Sequence, residues 1–173
     1  MSDPAAEAAP EVPEPLREHG ALVTSARGQK VLHVERDALR RTVEALRADG
    51  FVQLIDVTAV DYSTAEQARS LPEGVTAERY ELVVGLLSHT NRTRVRLRVQ
   101  VPADDLRVPS LFDLHPGSEA LEREVYDMFG IVFEDHPDLS RILMPEDWIG
   151  HPLRKDYAVG RIPVQFKGAP SSR

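Results

Sequence analysis

From residue 92 to residue 101 the chain alternates strictly: Val95, Leu97, Val99 and Val101 fall on one parity, Arg94, Arg96 and Arg98 on the other. A period of two predicts a β-strand with an apolar face and an arginine face. The apolar run YELVVGLL at 80–87 predicts a second strand, and the turn formers between Ser88 and Asn91 join the two into a hairpin. Upstream, KVLHV at 30–34 reads as a short strand. Leu39, Val43 and Leu46 then recur at helical spacing. They predict a helix over 38–49, with Asp37 placed to cap it and Gly50 at the left-handed position beyond its end. FVQLIDVTAV at 51–60 predicts another strand. Residues 62–78 are polar and rich in turn formers without a period, which predicts an exposed, mobile insertion.

A second helix is predicted over 119–129, started by Ser118 and ended by Gly130, with Glu119, Glu122 and Glu124 where the helix dipole favours negative charge. Leu121, Val125, Met128 and Phe129 make its apolar stripe. Arg123 and Asp127 fall opposite as an i,i+4 pair. Glu122 lies at the edge of the apolar side, where a carboxyl group requires a cation or several hydrogen-bond donors. Arg141 and Arg154 are the candidate partners, and Glu122 is then expected to tie the C-terminal run to the helix.

Residues 109–116 are turn-rich, and beyond Gly130 the chain is irregular, with prolines at 137, 145 and 152. Such a run holds a defined path when laid on another surface, here expected to be a partner. Trp148, with Ile142, Leu143 and Met144, offers apolar anchors, and Arg154 and Lys155 a polar rim; Trp148 in the core is the alternative. The order strand, helix, strand, hairpin, helix predicts an α+β fold, two layers with a mixed β-sheet packed by helices, plus an extended irregular C-terminal segment. Residues 1–28, dominated at the start by Ala, Pro and Glu, are expected to be a disordered tail, 29–130 the α+β domain, and 131–173 the segment that packs on a partner.

Composition narrows the function. Cysteine is absent, which excludes disulfides, zinc–thiolate sites and cysteine-ligated iron–sulfur clusters. A net charge of −7 argues against a non-specific nucleic-acid binder, and one arginine strand without interleaved aromatics does not reverse that. No apolar run approaches the roughly 20 residues that cross a bilayer, and the start lacks a signal-peptide pattern. There is no glycine-rich phosphate loop and no Gly-x-Ser-x-Gly elbow. His136 and His151 stand near Asp135, Asp138 and Asp147 but without compact ligand spacing, and structural loop histidines are the better reading. Glu122 and Glu124, two apart on a helix, do not face each other as an acid–base pair.

The information-rich stretch is Glu122-Arg123-Glu124, Asp127-Met128-Phe129-Gly130-Ile131, His136-Pro137-Asp138-Leu139, Arg141-Ile142-Leu143, Pro145-Glu146-Asp147-Trp148 and Gly150-His151-Pro152-Leu153-Arg154-Lys155-Asp156-Tyr157, preceded by Pro109-Ser110-Leu111. It resembles the signature of the thirty-kilodalton subunit of respiratory complex I, NADH:quinone oxidoreductase. Two positions depart: Ser118-Glu119-Ala120 replaces the usual Ala-Asn-Trp, and Asp135 the frequent Gly. The resemblance implies a non-catalytic structural subunit of the hydrophilic arm. FMN and Fe-S clusters would belong to partner subunits, and this chain would hold no cofactor or metal. The partners implied are the large quinone-site subunit and other subunits of that arm. The place implied is the cell membrane, peripheral, on the cytoplasmic side, through partners only. Glu122, Arg123, Glu124, Asp127, His136, Arg141, Trp148, His151, Arg154 and Lys155 are the interface or structural residues it singles out. The homologous subunit of a membrane-bound hydrogenase or related dehydrogenase complex, a stand-alone His/carboxylate metalloenzyme and a nucleic-acid adaptor are the alternatives.

Overall fold

The computed structural model describes residues 15–65 and 69–158. Six strands form one sheet: β1 (Arg17–Glu18), β2 (Ala21–Ala26), β3 (Gln29–Val34), β4 (Gln53–Asp61), β5 (Tyr80–Ser88) and β6 (Thr93–Val101). Their order is β1-β2-β3-β6-β5-β4. β3 and β6 are parallel and the other neighbours antiparallel, so the sheet is mixed as expected. Helices α1 (Leu39–Ala48) and α2 (Glu119–Phe129) give their apolar faces to the same core. A small parallel pair joins β7 (Arg107–Pro109) to β8 (Val132–Glu134).

The alternation in β6 behaves as its parity predicts. Val95, Leu97, Val99 and Val101 are fully buried, and Arg94 and Arg96 are exposed. Each such burial contributes roughly 1.5–3 kcal/mol before entropy is counted. Arg98 departs from the row. Its guanidinium grips buried Glu81 through two bonds of 2.7 and 2.8 Å, and Gln100 Nε2 donates to the same carboxylate at 2.6 Å. Glu81 stands directly opposite Gln100 on the neighbouring strand, with Arg98 on the diagonal, the geometry of a cross-strand cluster.

That polar cluster has a roof, built by the insertion after Tyr62: its described residues are largely exposed, as expected, but several are bonded to the sheet. Arg69 donates to Gln100 at 2.9 Å and to the Glu78 carbonyl at 2.5 Å, and its guanidinium lies 4.4 Å over the Tyr62 ring. Arg98 reaches the Ser70 carbonyl at 3.3 Å. Polar side chains of the sheet supply what the segment's own sequence lacks.

The expectation of a disordered tail over 1–28 fails for its second part. Residues 17–26 pair as strands, Leu22 opposite His33, and Ala21 and Leu22 are buried; residues 1–14 lie outside the described residues. Two apolar side chains and an open edge of β3 suffice to order a stretch whose average composition reads as unfolded. α1 begins from a short 3-10 turn rather than from an Asp37 cap: Ala38 is at the cap position, and Asp37 pairs with Arg36 at 3.4 Å. Gly50 takes φ +92°, as its position requires. The boundary at 131 moves too, because Ile131 and Phe133 are core residues and β8 belongs to the domain.

Candidate functional site

Among the described residues the C-terminal run has neither helix nor strand after β8, so its backbone groups must find partners outside regular structure. They find them on α2. Asp127 is fully buried, and its Oδ2 accepts three successive backbone N–H groups, from Ile142 at 3.1 Å, Leu143 at 2.7 Å and Met144 at 2.8 Å. Arg141 Nη1 donates to Oδ1 at 2.5 Å and Arg141 Nη2 to the Gly150 carbonyl at 3.0 Å. Burial pushes the Asp127 carboxyl up, but these donors outweigh it and hold the group below the ordinary carboxylate range.

Arg123 serves the opposite polarity of the same backbone. It donates to the carbonyls of Ser140 at 3.1 Å and Arg141 at 3.2 Å, to the Ser140 hydroxyl at 3.0 Å, and to Glu119 at 3.1 Å. The expected Arg123–Asp127 pair is therefore not made. Both side chains turn to the segment, one reading its carbonyls and the other its N–H groups.

The Gly-His-Pro-Leu-Arg motif caps the helix. The last carbonyls of an α-helix have no partner within it. Here the Asp127 carbonyl accepts from His151 Nδ1 at 3.0 Å, the Met128 carbonyl from Leu153 N–H at 3.0 Å, and the Phe129 carbonyl from Arg154 Nε at 2.6 Å. Arg154 also places a cation at the negative end of the dipole. Gly130 makes this approach possible. It has φ +76°, and a Cβ there would fall 2.7 Å from His151 Nε2 and collide with Arg154 Nη2. Farther along, the Lys155 backbone N–H donates at 2.8 Å to Asp61, which ends β4 and is also held by Arg79 at 2.9 and 3.1 Å and by the Ser63 N–H at 3.0 Å. Burial again opposes ionisation of Asp61, and these donors again win, lowering its pKa strongly. Arg79 closes the circuit to Asp156 at 3.0 Å.

Glu122 corrects the sequence reading. It is fully buried, as its need for donors implied, but neither Arg141 nor Arg154 bonds it. Ser110 Oγ donates at 2.6 Å, Leu111 N–H at 2.8 Å and Ser118 Oγ at 2.8 Å. Ser118 thus spends its hydroxyl on Glu122 instead of capping the helix backbone. Glu122 fastens the turn at 110–111 to α2; the residue that fastens the C-terminal run is Asp127. Sequence reasoning does not find Asp61, Arg79, Glu81 or Ser110. Ser110 carries a signal, a small hydroxyl inside the Pro-Ser-Leu motif. Asp61 carries none beyond an acid at the end of an apolar strand.

His136 uses both ring nitrogens structurally, Nε2–H donating to the Glu119 carbonyl at 3.2 Å and Nδ1 accepting the Asp138 N–H at 3.1 Å. Among the described residues the trio able to share a metal is Glu18, His19 and Asp49, remote in sequence from His136 and His151, and Lys30 already bonds Glu18 at 2.7 Å. Glu124 and the Lys155 side chain are exposed. Trp148 is half-buried, between the two alternatives. The seated run turns outward four large apolar side chains, Ile142, Leu143, Leu153 and above all Ile149, 90% exposed, among the exposed charges Asp138, Glu146, Asp147, Lys155 and Asp156.

The family model for the respiratory-chain NADH dehydrogenase 30 Kd subunit matches residues 32–162, the whole of this construction from β3 through Asp156. The chain belongs to this family. A protein of Saccharopolyspora erythraea described as the C subunit of NADH-quinone oxidoreductase is 45% identical over 163 residues, covering 89% of this chain and 61% of the relative. One of the same description from Mycolicibacterium paratuberculosis is 44% identical over 146 residues, covering 83% and 58%. The chain therefore spans about three fifths of the length of the curated relatives it matches. Among solved structures, the Nqo5 trypsin-resistant fragment (1–134) is 35% identical with a TM-score of 0.60, covering 69% of this chain and 90% of that one. A chain of an archaeal membrane-bound sulfane sulfur reductase has a TM-score of 0.62 over 88% of this chain and 90% of that one, at 24% identity, which shows the shared fold alone.

Proposed function

We propose that this chain is a non-catalytic structural subunit of the hydrophilic arm of a proton-translocating NADH:quinone oxidoreductase. In this reading FMN and Fe-S clusters sit in partner subunits and none in this chain. Its partners are the large quinone-site subunit and other subunits of the arm. It meets the membrane through them, on the cytoplasmic side.

The observation that carries the reading is the construction of the signature segment. Residues 138–157 are fastened from beneath by Asp127, Arg123 and Asp61, and the face left outward holds Ile142, Leu143, Ile149 and Leu153. A backbone fastened inward by directed polar bonds, with four large apolar side chains exposed among charged ones on a path set in advance, suits a docking ledge. No helix among the described residues is long and apolar enough to cross a membrane. Co-expression with the neighbouring genes of its operon, followed by native mass spectrometry, tests the reading. The chain should appear in a complex with the large subunit, and Ile149→Asp combined with Leu153→Asp should weaken that complex at least tenfold, the effect of losing about 1.4 kcal/mol or more at an interface. Full association of the double variant, or no association of the unaltered chain, would refute it.

A further inference from the structure

We propose that His151 is an acid-sensitive latch: residues 138–157 stay seated on the end of α2 while its imidazole is neutral, and lift when it takes a second proton.

The geometry specifies one tautomer. The Asp127 carbonyl can only accept, so His151 Nδ1 carries the hydrogen in the 3.0 Å bond. Nε2 is then the bare nitrogen. It faces the Gly130 backbone beside the Arg154 guanidinium, the two groups filling the space a Cβ would occupy. A proton on Nε2 therefore sets a new N–H and a positive charge beside an existing cation in a half-buried site.

The surrounding charges agree. From the segment come Arg154 and Arg141, both positive. From α2 come the Tyr126 ring, 6.2 Å away and edge-on, and Asp127, whose carboxylate is already taken by Arg141 and three N–H groups. Burial disfavours the imidazolium most. The bond to the Asp127 carbonyl and the Asp127 charge favour it, Arg154 and Arg141 oppose it, and the balance lies below the ordinary value of 6.5.

The direction of the linkage follows. Well above pH 6.5 the ring is neutral whether the segment is seated or free, and seating is at full strength. As pH falls below 6.5 the free segment takes up the proton first, and the seating constant falls until the pH passes the lowered value of the seated ring. Asp127 acts lower, because its seating contribution is present above 3.8 and lost as pH falls through its depressed value. His33 and His115 are also buried with lowered pKa, but His33 bonds Thr24 in the sheet and His115 feels Arg47 of α1, so they act on the domain and not on the segment. The latch rests on this intramolecular geometry; only its consequence, acid-dependent release of the docking ledge, rests on the proposed function.

The test uses the full chain alone, so that it stands apart from assembly. Amide hydrogen exchange at residues 142–144 and 153, corrected for intrinsic rate and referred to β6 amides, is followed from pH 7.5 to 5.0. Protection should be lost in the segment as pH falls below 6.5 while β6 holds, and His151→Gln, which cannot charge, should flatten the profile. A wild-type profile that stays level, or a variant that still shows the fall, would overturn the proposal. If the variant is unprotected at every pH, the ring resonances of His151 in the unaltered chain decide. Titration at or above 6.5 defeats the latch, and titration below 6.5 with loss of segment protection at the same pH establishes it.

Discussion

The hairpin β5–β6 and the C-terminal run 138–157 are both defined in this molecule, but by opposite means. The hairpin is held by apolar side chains whose burial has no directional requirement, with Leu82, Val84, Leu86, Val95, Leu97 and Val99 all fully enclosed. The run has almost no such interior. It is held by single oriented bonds to a few polar atoms: Asp127, Arg123, Asp61 and the last carbonyls of α2. The first kind of order is distributed and tolerant. The second is concentrated, so one carboxylate oxygen governs three backbone groups. The difference separates what holds the domain together from what shapes its outer surface, and each can be attacked alone.

The largest effect is expected in the hairpin. Leu97→Ala removes a fully buried side chain at the centre of the sheet and should cost about 2–5 kcal/mol of global stability, read as a lower urea midpoint at unchanged slope. Glu122 tests a polar anchor inside the domain. Glu122→Ala strands two hydroxyls and one N–H and should cost about 3 kcal/mol, whereas Glu122→Gln keeps an acceptor for Leu111 and Ser118 and should cost about 1 kcal/mol. Equal losses for the two would mean that shape, not hydrogen bonding, sets the value. The smallest global effect belongs to the run. Asp127→Asn should move the urea midpoint little, yet make residues 138–157 the first site of limited proteolysis, because the neutral amide no longer balances Arg141 and weakens three bonds at once. A large global shift with an intact segment would erase the distinction between the two regions.

The same division decides how much is legible in the sequence. β6 follows from its alternation and α2 from its stripe, with the ends of α2 where Ser118 and Gly130 stand. Periodic patterns are local, and a buried face needs only to be apolar, so the partner need not be known. Partners of polar groups are another matter. Arg123 and Asp127 sit four residues apart and read as a pair, yet both abandon each other for a backbone that arrives from residues 140–144. Periodicity takes Glu122 out of water correctly but matches it wrongly to arginines, because serine hydroxyls and an N–H from a turn are nearer. The roof at 69–79 and the strands at 17–26 escape a sequence reading for the same reason: their stability comes from neighbours, not from their own composition.

By itself the amino-acid order determined the family, the mixed sheet with its helices, and the need of Glu122 for donors, since motif, period and burial are properties of short stretches. Only the folded arrangement decided that the proline-broken run rests on its own domain, with Asp127 beneath it and Gly130 clearing space for His151 and Arg154. Directional bonds between residues far apart along the chain exist only once the intervening elements have packed, and no local pattern records which donor will arrive.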